Sequence, residues 1–133
     1  MTSKLFSFLL YLPSKIWLWF SIVWTILLLT LSLISVRQAA RFSIDVIGFD
    51  KLGHFVFYTV LTLSWLMTFK EKKQIRYVII GSIISFGILI EILQLKMGVG
   101  RAFEYFDMLA NIIGTLCGIV IFYNLNKYRN IAD

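Results

Sequence analysis

The sequence predicts an all-α integral membrane protein: a four-helix transmembrane bundle with N and C termini cytoplasmic. Three observations carry this. Hydrophobic residues make up 59% of the 133 residues and charged residues 15%, against roughly 45–50% and about 25% in a soluble domain. The apolar residues gather into four runs of about 20 residues each, the length that crosses a ~30 Å hydrocarbon core as a helix. Strict apolar–polar alternation is absent, so helices rather than a barrel must satisfy the backbone in lipid.

Composition also excludes classes. A mean hydropathy of +0.85 excludes disorder, and so few charges are too few to cover the surface of a soluble fold of this size. One Cys excludes a disulfide scaffold, and one His with one Cys excludes a zinc finger or His-cluster metal site. No metal and no cofactor are therefore expected. The net charge of +6 comes from residues between the apolar runs, without an RNA-binding module or zinc-finger spacing. It indicates loops meeting anionic lipid, not nucleic acid.

The four predicted spans are residues 16–36, 52–69, 77–95 and 108–125. Pro13 stands just before the first, where it can start a helix. That first run exceeds a signal-peptide core of about 7–15 residues and lacks a good cleavage site, so it reads as a retained span. Short loops make neighbouring helices antiparallel, in up-down order. Lys4, Lys15, Lys70, Lys72, Lys73, Arg76, Lys127 and Arg129 fall on one side, and Arg37, Arg41, Lys51, Lys96 and Arg101 on the other. The richer side should be cytoplasmic, with Lys70–Arg76 as a solvated loop and Tyr11, Trp17, Trp19, Tyr77, Tyr123 and Tyr128 as its aromatic belt.

Polar residues inside the spans gather at the outer end. Glu91 lies within Ile88-Leu89-Ile90-Glu91-Ile92-Leu93, where a carboxylate is expensive and by default functional. Asp50 and His54 share a helix face at i,i+4, with Tyr58 one turn deeper. Glu91 and Gln94 are i,i+3, and Asp107 and Asn111 are i,i+4, followed on nearly the same face by Gly114 and Gly118. Turned inward, these faces form a polar cup of Asp50, Lys51, His54, Tyr58, Glu91, Gln94, Asp107 and Asn111. Arg101 joins it from the turn Gly98-Val99-Gly100. Gly114 and Gly118, like Gly81 and Ser85, fit the small-xxx-small pattern of close helix approach. Cys117 reads as an inert buried thiol.

The motifs Asp50-Lys51-x-x-His54-x-x-x-Tyr58, Glu91-x-x-Gln94, Gly100-Arg101 and Asp107-x-x-x-Asn111-x-x-Gly114-x-x-x-Gly118 resemble those of the VanZ-like family. The resemblance implies a single VanZ-like transmembrane domain over residues 1–133, multi-pass in the bacterial cytoplasmic (inner) membrane. It also implies a link to low-level glycopeptide (teicoplanin) resistance, whose mechanism is unsettled.

The leading functional expectation is a cup that binds an anionic or lipid-linked cell-envelope precursor. Arg101, Lys51 and His54 would clamp a phosphate or carboxylate, and Gln94 and Asn111 would donate hydrogen bonds. The alternative is a membrane enzyme acting on a lipid phosphate, with His54 as the candidate catalytic acid–base beside Asp50 or Asp107, and with carboxylates able to hold Mg²⁺ or Ca²⁺. The lack of a nucleophile motif weighs against it. A third reading is a small structural subunit, with ion pairs pinning the helices. Expected partners are membrane lipids, with room for a membrane-protein partner or homo-oligomer. Transport is the least favoured, because no polar path reaches through the cytoplasmic half.

Overall fold

The computed structural model describes residue 8 and residues 11–33, 49–96 and 105–132, with the backbone alone at positions 49, 50 and 130–132. Four long helices account for nearly all of it: α1 (Ser14–Leu33), α2 (Phe49–Thr68), α3 (Arg76–Lys96) and α4 (Tyr105–Ala132). No strand occurs among the described residues.

Local chemistry explains the start of α1 and the turn between α2 and α3. Pro13 has no N–H to lose at a helix start, and its carbonyl accepts from Ile16 and Trp17 (3.0 and 3.5 Å). α2 ends in a tight turn closed by Lys72 N–H to the Phe69 carbonyl (2.9 Å). One 3₁₀ turn, Lys73–Ile75, then leads into α3. α2 starts earlier than predicted, which puts Asp50 and Lys51 in its first turn rather than before it. α4 outruns the predicted span at its C-terminal end, since nothing between residues 126 and 132 breaks a helix.

Three helices are long and apolar enough to cross a membrane: Ser14–Leu33, the segment Lys73–Lys96, and Tyr105–Arg129. They expose large apolar side chains such as Val23, Ile26, Val78, Leu89, Leu116 and Val120. A soluble monomer does not carry such faces. α2 has the length of a span but falls short in apolarity, and packing gives the reason. It sits among the other three, with its most extensive contact against α4 and its next against α1. It can therefore bury Thr62, Ser64 and Thr68 against protein instead of lipid. The core joins Tyr58, Leu61, Leu66 and Met67 of α2 to Ile79, Ile83 and Ile90 of α3, Phe122 and Leu125 of α4, and Trp17 and Leu28 of α1.

Several details depart from the sequence expectations. Trp17 is a core residue, not a member of an interfacial belt, whereas Tyr11, Trp19, Tyr77, Tyr123 and Tyr128 are exposed. Arg76 is buried rather than solvated. Its Nη2 donates to the Lys70 carbonyl (2.6 Å), and its guanidinium lies over the Phe122 ring at 5.0 Å. Delocalised charge and a planar face suit Arg to such a site. Polar residues are not confined to the end that carries His54 and Glu91. Ser21 and Thr68 share a hydrogen bond (3.2 Å) between α1 and α2, and the Trp65 indole donates to Thr25 Oγ1 (3.1 Å). Gly81 and Ser85 are exposed, and a Cβ at Gly81 would meet nothing within 4 Å among the described residues. Cys117 is half-buried.

Candidate functional site

Gly114 and Gly118 set the site by setting how closely α4 approaches α2. A Cβ at position 118 would meet the Thr59 carbonyl oxygen at 2.7 Å and Thr62 Cβ at 2.8 Å, and one at position 114 would collide with the Phe55 carbonyl. Real side chains cannot enter either space. Partners advance together along both helices: Lys51 with Asp107, His54 with Asn111, Phe55 with Gly114 and Thr59 with Gly118. The two helices are therefore parallel and in fixed register. That register, helped by the i,i+4 spacing of Asp107 and Asn111, brings both residues onto the face of His54.

His54 is the hub. Its Nδ1 stands 3.0 Å from Asn111 Oδ1, and its Nε2 stands 3.7 Å from Asp107 Oδ2. Asn111 Oδ1 only accepts, so Nδ1 carries the proton of this bond and Nε2 faces the carboxylate. Lys51 Nζ reaches the other oxygen of Asp107 at 3.5 Å from a partly exposed position. Glu91 arrives from α3. His54, Glu91 and Asp107 each offer a ligand atom, and these atoms all lie within 4.8 Å of one another. Glu91 is 2% exposed and Asp107 5%, so this is charge deep in protein and not a rim.

Tyr58 lies one turn below His54. Gly87, one turn below Glu91 on α3, makes room for it: a Cβ there would touch the ring at 3.1 Å and the hydroxyl oxygen at 3.2 Å. The Tyr58 hydroxyl and the Asn111 amide nitrogen are buried without a hydrogen-bond partner among the described residues. A cavity of about 130 Å³ opens beside this layer, lined by Leu28, Leu31, Ser32, Gly53, His54, Phe57 and Tyr58.

Gln94 is tied to α1. Its Nε2 donates to the Ser32 carbonyl of α1 (2.8 Å). Asp50 lies in the first turn of α2, one turn before His54, with its backbone alone described. Arg101, the turn at residues 98–100, and Arg37, Arg41, Asp45 and Glu104 lie outside the described residues. Gly87 and Ser32 escaped the sequence reading. Gly87 falls outside any four-residue pairing of small residues, and Ser32 contributes only its carbonyl.

The model of the VanZ/LLP1 family matches residues 10–126, from before α1 to near the end of α4. The chain belongs to the VanZ/LLP1 family. No curated protein and no solved structure matches it. Membership and three membrane-length apolar helices make this a VanZ-family membrane protein. Within it, the His54 layer is the one place among the described residues where three helices bring ionisable side chains together in the interior.

Proposed function

We propose that this VanZ-family protein binds an anionic, lipid-linked component of the cell envelope at the outer end of a four-helix bundle in the bacterial cytoplasmic membrane. The position of His54 carries the reading. On one side it meets Asp107 and Asn111; on the other it lines the cavity between α1 and α2. The wall is polar at Ser32, His54 and Tyr58 and apolar at Leu28, Leu31 and Phe57. That profile suits a charged head carried on an apolar tail. Lys51, one turn before His54 and partly exposed, supplies a cation near the head, and Arg101 is the second cation of the same reading. A bidentate Arg and a point-charge Lys are the usual partners of phosphate and carboxylate groups.

One observation favours a second reading, a membrane enzyme acting on a lipid phosphate. A histidine fixed through Nδ1 by an amide oxygen, with Nε2 turned toward a carboxylate, is oriented as an acid–base group would be.

The experiment is native mass spectrometry of the gently purified chain, looking for a retained lipid, on wild type, Arg101→Lys and His54→Gln. A binder retains lipid, loses it in Arg101→Lys, and keeps part of it in His54→Gln. An enzyme binds in both variants and loses turnover in His54→Gln alone. A wild-type protein that retains no anionic lipid, with unaltered glycopeptide sensitivity in cells lacking it, rejects the proposal.

A further inference from the structure

We propose that His54, Glu91 and Asp107 bind one divalent cation of the zinc–manganese class. The inference goes beyond headgroup binding and does not rest on it. Composition argued against a metal because one His cannot make a His cluster. The fold supplies two carboxylates in place of further histidines, from two other helices.

Geometry comes first. One imidazole and two carboxylates place their ligand atoms within 4.8 Å of one another. Metal–ligand bonds of about 2.0–2.2 Å put ligand atoms of one shell about 3.3 Å apart, so small side-chain rotations close these three around an ion.

The orientation of His54 is a second, independent observation. A metal-ligating histidine donates its other ring N–H to a carboxylate, a carbonyl or a water, which fixes tautomer and ring plane. Asn111 Oδ1 fills that role at Nδ1 (3.0 Å). Nε2, facing Asp107 Oδ2 at 3.7 Å, is then the nitrogen presented to the cluster.

Charge points the same way. Glu91 and Asp107 are both more than nine-tenths buried, where like charges repel strongly. Lys51 meets Asp107 from the rim. A divalent cation offsets both carboxylates from within.

The surroundings complete a site. The Tyr58 hydroxyl and the Asn111 amide nitrogen, both buried and without a hydrogen-bond partner among the described residues, flank the cluster one turn deeper. They line a void of about 10 Å³ with Gly87 and Thr115, and as a hydroxyl and an amide N–H they can hydrogen-bond to a ligand beside the cluster.

One nitrogen and two carboxylate oxygens form a borderline set that favours zinc or manganese over calcium. Three protein ligands leave a coordination position for a ligand oxygen.

The test uses the full chain purified in detergent without chelator. Plasma mass spectrometry is expected to find about one zinc or manganese per chain. The content should fall by about tenfold or more in His54→Ala and Glu91→Gln and stay level in Arg129→Gln. Adding Zn²⁺ or Mn²⁺ to chelator-stripped wild type should raise its Tm, since the ion binds the folded state. Should the variants fail to fold, Co²⁺ in the unaltered chain decides, through the visible bands of a low-coordinate nitrogen–oxygen site. Trace metal in wild type with no Tm response, content equal across the variants, or a Co²⁺ spectrum of the hexahydrate type each overturns the proposal.

Discussion

Gly118 lies against Thr59 so closely that a single added carbon would sit 2.7 Å from the Thr59 carbonyl oxygen. This contact, with its counterpart between Gly114 and Phe55, locks the parallel helices α2 and α4 in the register that faces His54 with Asn111. Overpacking a tight interface costs about 1–3 kcal/mol. Gly114→Ala and Gly118→Ala should each lose that much stability in thermal unfolding in detergent. Gly81→Ala, at a position with nothing within 4 Å, should stay within about 0.5 kcal/mol of wild type. Equal stability of all three would show that the glycines do not set the register.

Gln94 ties α3 to the last turn of α1 through the Ser32 carbonyl. Gln94→Leu removes that hydrogen bond, a loss of about 0.5–1.5 kcal/mol. The melting temperature should drop, and lipid retention at a temperature well below the transition should not. Lost retention in a fully stable variant would show that Gln94 contributes to binding directly.

Glu91 is buried inside an otherwise apolar helix. Glu91→Gln keeps the shape and removes the charge, so it should depress cellular function more than expression, read by glycopeptide sensitivity and immunoblot. A stable and fully active Glu91→Leu protein would move the functional site elsewhere.

Arg129 donates to both oxygens of Glu71 (2.5 and 3.3 Å), fastening the α2–α3 turn to the end of α4. This hydrogen bond, with the Arg129 charge, holds the Glu71 carboxyl below its ordinary value of 4.5. Its pKa is lower folded than unfolded, so its stabilisation is complete above about pH 4.5 and fades as pH falls through the depressed value. Glu71 is exposed, which keeps the effect small. Wild type and Glu71→Gln should differ slightly in Tm at pH 7 and converge in acid. A difference that grows in acid would contradict the pairing.

Lys70 donates to the Leu12 carbonyl (3.2 Å), so the start of α1 and the α2–α3 turn lie at one end of the molecule, opposite the His54 layer. By the positive-inside rule that end is expected in the cytoplasm. Reporters fused after Lys73 and Asp133 should be cytoplasmic, and one after residue 44 extracytoplasmic. The reverse pattern would turn the His54 layer inward.

Class and helix content were legible in the sequence because they follow from composition and run length, which no packing arrangement alters. The i,i+4 spacings of His54 with Tyr58 and of Asp107 with Asn111 were legible too, since a helix fixes which residues share a face. Three things were decided by tertiary structure. Arg76 became buried because Phe122 and Tyr123 of α4 fold over it, a contact between residues far apart in sequence. Gln94 turned to α1, where the Ser32 carbonyl accepts from it. The convergence of His54, Glu91 and Asp107 depended on Gly114 and Gly118, whose missing side chains let α4 close on α2, and on Gly87, which makes room for Tyr58. Periodicity assigns a residue to a face, whereas the distance between faces is set by the volume of what lies between them.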